Sequence, residues 1–273
     1  MCNESKIYYK SLDSTRLCGV FTVPKMPKGF VLMAHGITMD KNEWNNFYVE
    51  IAQDLCKRKF ASFRFDFRAQ GESEGLQRDL TVIGELIDIK ASIKKIRENW
   101  KQKISIIATS FGAGPAILYT AQNPAIVSCL ILLCPVIDYE STFLNPIVPW
   151  AKESFNEKGF KDLEEKGFLL LDGVFEIGIK MVEEFRIVKP YEYLKRITCP
   201  VLTIHGDMDS MVPYEISKKY GRPNEFSKFV TLNGADHGFV AYDDETGESE
   251  QSQRNKQIVL QEIIQWIEKW RMR

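Results

Sequence analysis

The sequence predicts an α/β fold: a mostly parallel central sheet flanked by helices, with one short helical insertion. Three observations carry that expectation. Short apolar, β-branched runs alternate with amphipathic helical segments along most of the chain. One such run, Ile104-Ser105-Ile106-Ile107-Ala108-Thr109-Ser110-Phe111-Gly112-Ala113-Gly114, passes from strand through small residues into helix-compatible sequence. The alternation breaks only once, over residues 138–196, and resumes with a strand at Cys199-Pro200-Val201.

Taken in order, residues 7–10 and 17–23 alternate like paired strands around Asp13-Ser14-Thr15 and predict a hairpin. Buried strands follow at 30–34, 61–65, 104–108, 127–133, 201–205 and 229–232, with helices at 42–58, 80–100, 111–122 and 214–220. Residues 257–271 place Ile263, Ile264, Ile267 and Trp270 near helical spacing and predict a closing amphipathic helix. The core domain is therefore expected over 1–137 and 197–273. The insertion, 138–196, is expected to lie over the strand ends as a mostly helical cap. Its Phe143, Trp150, Phe155, Phe160 and the run Phe168 to Leu171 either line an apolar pocket or fill the cap's own core.

With 273 residues, 44% of them hydrophobic, the chain is long enough to bury a substantial core. Lysine and arginine number 36 against 37 acidic residues, so no charge excess favours nucleic acid or an anionic membrane as partner. A small molecule is the expected partner, and a homodimer is compatible with the sequence without being specified by it. The polar start Met1-Cys2-Asn3-Glu4-Ser5-Lys6 lacks the apolar stretch of a signal peptide, and no run approaches the roughly 20 apolar residues of a membrane span. A cytoplasmic protein is expected. The six cysteines are scattered without a C-x-x-C pair and are expected to be reduced and mostly buried.

Ser110 stands at the apex of the strand-turn-helix segment, where a sharp turn lifts a hydroxyl out of the fold; Gly112 is expected to let the helix pack against the strand that precedes it. A serine hydroxyl is a weak nucleophile at neutral pH and needs a base within hydrogen-bond reach and a carboxylate to orient that base. Of the three histidines, His35 and His205 each follow an apolar strand and precede glycine, which suits a turn-supporting ring. His237 lies in the polar, glycine-flanked loop Asn233-Gly234-Ala235-Asp236-His237-Gly238-Phe239 after the last strand, at the carboxyl edge where ligands bind open α/β sheets. The loop before that strand offers Asp207 and Asp209 as the acid. Pro115 falls early in the elbow helix, where it bends the helix only if it lies beyond the first turn.

At these residues the chain resembles the α/β-hydrolase fold superfamily over nearly its whole length. Ser110, Asp209 and His237 occur in that fold's chain order. His35-Gly36-Ile37 resembles its H-G-x turn after the third strand. The segment 66–73 resembles D-x-R-G-x-G-x-S with Ala69 in place of a glycine. His205 to Pro213 resembles H-G-x-x-D-x-x-V-P, whose aspartate falls on Asp209, and 234–239 resembles G-x-x-H-x-F. Ala108 departs from the first glycine of G-x-S-x-G. Within the superfamily the length, the short cap and Asn42-Glu43-Trp44 are similar to small bacterial carboxylesterases, including feruloyl and cinnamoyl esterases.

The resemblance implies a serine hydrolase that cleaves small to medium acyl or aromatic esters through an acyl-enzyme. It implies Ser110 as nucleophile, His237 as base, Asp209 as its orienting acid, and the backbone amides of Ile37 and Phe111 as oxyanion donors. Neither cofactor nor metal is required. An acyltransferase or acyl-thioesterase would use the same three residues, and a peptidase, a lipase or a non-catalytic binding protein would share the scaffold.

Overall fold

The computed structural model describes residues 2–244 and 246–271. The chain begins with an antiparallel hairpin, β1 (Cys2–Lys10) and β2 (Arg16–Pro24), and continues into β3 (Gly29–Ala34), α1 (Phe47–Lys57), β4 (Phe60–Phe65) and α2 (Val82–Arg97). Next come β5 (Ile104–Thr109), α3 (Ala113–Gln122) and β6 (Val127–Leu133). The segment that follows adds no strand to the main sheet. It holds α4 (Pro149–Lys152), α5 (Glu157–Lys166), a small antiparallel hairpin of β7 (Phe168–Leu171) and β8 (Phe175–Gly178), α6 (Ile179–Ile187) and α7 (Pro190–Leu194). The chain closes with β9 (Val201–Gly206), α8 (Tyr214–Tyr220), β10 (Lys228–Leu232) and α9 (Glu250–Trp270).

The eight-stranded sheet runs β1-β2-β4-β3-β5-β6-β9-β10, parallel from β4 through β10. β3 and β4 are buried at every residue because helices cover both faces; β3 accordingly reads as an apolar run, whereas β4 buries Ser62 and Arg64 among its apolar residues. One face packs Leu32, Phe63, Ile106 and Leu130 against α2 and α3; the other packs Val31, Ile107 and Ile131 with residues of α1 and α9. After β3 the chain lays β4 on one side and then β5 on the other. The crevice at the carboxyl ends of β3 and β5 is thus the topological switch point, where ligands bind such sheets.

The expected fold class is observed, with three local differences. Residues 42–46 do not join α1, because Glu43, Asn45 and Asn46 hold positive φ. The last helix starts earlier than its apolar spacing indicates, since Ser249 caps it through a hydrogen bond from the Ser252 amide. Phe168 to Leu171 form a strand within a region expected to be mostly helical. There Leu169 and Leu171 point inward and Leu170 outward, a period of two that an unbroken apolar run conceals.

Phe143, Phe155, Leu169 and Leu171 pack with Phe185 and Phe111 in a third apolar cluster, so they fill the interior beneath this segment. The cysteines also differ from expectation. Cys2 and Cys56 form a disulfide that fastens the edge strand β1 to α1, whereas Cys18, Cys129, Cys134 and Cys199 are free and buried. Partners 54 residues apart are brought together only by the sheet topology, which spacing does not reveal. Among the described residues no helix is long and apolar enough to cross a membrane.

Candidate active site

Ser110 follows β5 directly and takes a left-handed backbone, φ 49°, before a single tight turn leads into α3. A non-glycine residue in that region is strained and persists only where its surroundings over-determine it. Here the constraint is close packing at Gly112. A Cβ there would lie 2.3 Å from the carbonyl oxygen of His35 and 3.0 Å from that of Ala34. The glycine therefore lets the turn approach the end of β3, the neighbouring strand, rather than β5 as expected. Tyr48 ties the two strand ends together, donating to the Ala34 carbonyl at 2.9 Å and sharing a 2.6 Å hydrogen bond with Thr109 Oγ1. Pro115 is the third residue of α3, inside the first turn, where its missing N–H costs nothing.

His237 and Asp209 meet across the loops after β10 and β9, with Nδ1 of His237 2.8 Å from Asp209 Oδ2. A carboxylate only accepts, so Nδ1 carries the proton and Nε2 keeps its lone pair. Asp209 is buried and saturated. Its Oδ1 accepts from the amides of Met211 and Val212, and its Oδ2 accepts a second bond, 2.9 Å, from His205 Nε2. Burial alone would raise the Asp209 pKa, but His237, His205 and these hydrogen bonds outweigh it and hold the carboxyl far below the usual range. Burial also disfavours the charged form of His237; the adjacent Asp209 carboxylate overrides it and raises the imidazole well above its ordinary value.

A strap next to this pair fixes the histidine loop. Asp236 Oδ1 accepts from the amide of Ser210 and from the amide of His237, at 2.8 and 2.6 Å. Asp207, the other candidate acid, points away and accepts from the Gly234 amide at 2.7 Å, bracing the turn.

Ser110, His237, Ile37, Met211 and Trp150 line one cavity of about 180 Å³ at the switch point. The amide of Ile37 has no acceptor among the described residues, and Phe111 stands in the opening turn, where amides lack intrahelical acceptors. The remaining histidine is structural. His35 Nδ1–H donates to the Gly36 carbonyl at 2.7 Å and Nε2 accepts from the Phe67 amide at 3.0 Å, while burial pushes its pKa down and keeps it neutral.

Two polar groups of the Gly36 loop have roles that the residue pattern does not assign, although Glu43 belongs to the Asn42-Glu43-Trp44 segment of the resemblance. Lys41, almost fully buried, bonds Asp66 at 2.8 Å and Glu72 at 2.9 Å, while its amide donates to the other oxygen of Asp66. Glu43 accepts from the Gly36 amide at 2.5 Å and from the Trp44 amide at 3.2 Å; burial raises its pKa. Both lie within ten residues of His35; the Asn42-Glu43-Trp44 segment marks Glu43 in the sequence, whereas the role of Lys41 shows only in the fold.

Among the described residues two sets of donors lie close enough to share a metal, Cys134 with His205 and Asp209, and Cys18 with Asp66 and Glu72. Each is already engaged: Asp209 by two histidines and two amides, Asp66 and Glu72 by the Lys41 ammonium.

The family model described as Serine aminopeptidase, S33, matches residues 25–164, just over half of the chain and inclusive of Ser110. Monoacylglycerol lipase abhd6-A of Xenopus laevis is 24% identical over 156 residues, 56% of this chain and 45% of that protein, so the chain spans about half the length of this curated relative. Est1E of Butyrivibrio proteoclasticus, solved with ferulic acid bound, superposes with a TM-score of 0.72 at 21% identity, covering 94% of this chain and 99% of the other. The Pyrococcus furiosus esterase Pf2001 gives 0.70 at 22% identity, covering 99% and 92%. With the sheet order, the strained serine turn and the family match in place, the chain belongs to the serine aminopeptidase S33 family and has the α/β-hydrolase fold.

Proposed function

We propose that the protein is a carboxylesterase that cleaves small to medium acyl or aromatic, cinnamoyl-type esters through an acyl-enzyme on Ser110. The observation that carries this reading is the buried Asp209–His237 pair, 2.8 Å apart, opening on the cavity whose wall includes the strained Ser110. Ser110 Oγ attacks the ester carbonyl as His237 Nε2 takes its proton; the amides of Ile37 and Phe111 receive the oxyanion. Collapse breaks the acyl carbon–oxygen bond, and His237 returns the proton to the departing alkoxide. Water then repeats the sequence and frees the acid. Asp209 holds the imidazole in the required tautomer and stabilises its cationic form.

Residues 138–196 act as a cap, because Trp150 from this segment closes one side of the cavity. The mostly apolar lining and a structural neighbour with ferulic acid bound favour an acyl or aryl substrate over a highly charged one. The four free, buried thiols support a cytoplasmic setting, whereas the Cys2–Cys56 bond, of a kind rare in reducing compartments, counts against it.

A fluorophosphonate probe together with an ester panel tests this reading. Labelling of the folded protein is expected to vanish in Ser110→Ala, with ester turnover falling at least about 10⁴-fold. Undiminished labelling of Ser110→Ala would remove the nucleophile. Transfer to an added alcohol outpacing hydrolysis, or acyl thioesters outpacing esters, would reassign the enzyme as an acyltransferase or thioesterase.

A further inference from the structure

A second chamber of about 60 Å³ adjoins the catalytic cavity and shares Glu43, Trp44, Thr109 and Gly238 with it. Its far walls come from Phe47, Phe239, Val240 and the start of α9. The Trp44 indole forms the partition. A Cβ on Gly247 would stand 2.6 Å from Trp44 Cη2, and one on Gly238 3.8 Å from Cε3, so the ring lies against two side-chain-free positions. Glu43 fixes the partition to the active-site loop, since one carboxyl oxygen accepts from the Gly36 amide and the other from the Trp44 amide.

We propose that this side chamber is the subsite for the alcohol limb of the ester, and that it accepts a slim unbranched alkyl group of a few carbons. The inference rests on Ser110 and His237 acting as described above. His237 must deliver its proton to the departing oxygen, so the alkoxy group stands on the histidine side of the tetrahedral centre. The chamber wall Gly238-Phe239-Val240 continues directly from His237, whereas Ile37, Met211 and Trp150 border the catalytic cavity alone. Size selects the occupant: an apolar cavity of ~150 Å³ holds benzene, and a chamber of less than half that volume suits a slim alkyl chain better than an aromatic ring. The 180 Å³ cavity beside the serine is left for the acyl group.

The test compares two ester series on the intact protein. One holds the acid constant, methyl to hexyl butyrate; the other holds the alcohol constant, methyl acetate to methyl octanoate, both followed by proton release. Val240→Phe fills the chamber and Val240→Ala enlarges it, with melting temperature recorded for both. One methylene in an apolar pocket is worth roughly tenfold or more in kcat/KM. Val240→Phe is expected to cut butyl butyrate at least about tenfold relative to methyl butyrate, and Val240→Ala to move the optimum toward longer alcohols. The methyl ester series is expected to keep its acyl chain-length profile in both variants. A change confined to the acyl series would place the acyl limb in the chamber, and unchanged profiles in both series would show that nothing enters it; either overturns the proposal. Wild-type protein hydrolysing neither series, or matched by Ser110→Ala, would instead remove the esterase reading on which it stands.

Discussion

Ser110 is placed by backbones in contact, whereas Asp209 and His237 are placed by hydrogen bonds, and the two halves of the site consequently differ in what disturbs them. On the serine side, Gly112 leaves no room for one added carbon beside the carbonyls of Ala34 and His35. On the acid–base side, Asp209 accepts four bonds and Asp236 straps the adjoining loops, so charge and acceptor count matter more than volume. Steric placement fails when atoms are added; electrostatic placement fails when charge is removed.

The largest test of that contrast is at Asp209. Asp209→Asn keeps the shape but offers an amide where two histidines donate, and the expected loss in kcat is on the order of 10⁴-fold. Asp207→Asn, at a residue that only braces the Gly234 amide, should stay within a few-fold. Equal losses in steady-state assays would mean that the loop as a whole, not the Asp209 charge, is what counts.

The next effect falls on stability. Lys41→Met leaves Asp66 buried without its cation, and removing one partner of a buried pair typically costs about 3–5 kcal/mol. Urea unfolding measures it; a change below about 1 kcal/mol would show that the Gly36 loop is held by packing, as the serine turn is.

Gly112→Ala should cost less, about 1–3 kcal/mol, through overpacking against the β3 carbonyls. Its signature is a fall in kcat with the pH profile unmoved, because the acid–base pair lies on other loops. A shifted profile in this variant would break the division between the two sides.

The smallest effect is in pH dependence. Folded His237 titrates above its ordinary value of about 6.5. The stability it contributes as imidazolium is complete below the unfolded pKa and is lost as pH rises through the folded one. Catalysis needs the neutral ring, so the acid limb of kcat/KM should lie above about 6.5, in the window where that stabilisation fades. In Asp209→Asn the limb of the residual activity should move to lower pH, read from the rate profile; an unmoved limb would detach it from this pair.

Much of this arrangement was legible in the sequence. Residues 127–133 and 214–220 read as they fold, the first because an apolar run of strand length lies between Pro124 and Pro135, the second because the α/β alternation calls for a helix before the next strand. The structure brings His237 and Asp209 together and puts Ser110 on the same cavity because each stands in a loop at the carboxyl edge of a parallel strand, a position that chain order alone conveys. What escaped depended on long-range pairing. Cys2 finds Cys56 only through the β1–α1 contact, the buried role of Lys41 exists only when Asp66 and Glu72 fold against it, and the alternation in Leu169 to Leu171 is masked by uniform hydrophobicity. Trp150 was separable from its aromatic neighbours only once Phe143, Phe155 and Phe185 were seen packed on one another.

The strand order carries a consequence for how reactivity is acquired. β5, which delivers Ser110, sits in the middle of the sheet, while Asp209 and His237 follow β9 and β10 at the far edge. A growing chain that has already folded its serine turn therefore holds an ordinary alcohol. On the proposed reading, docking of β9 and β10, through long-range contacts that form slowly, is the step that arms it, so the hydroxyl gains its base only once those strands are in place.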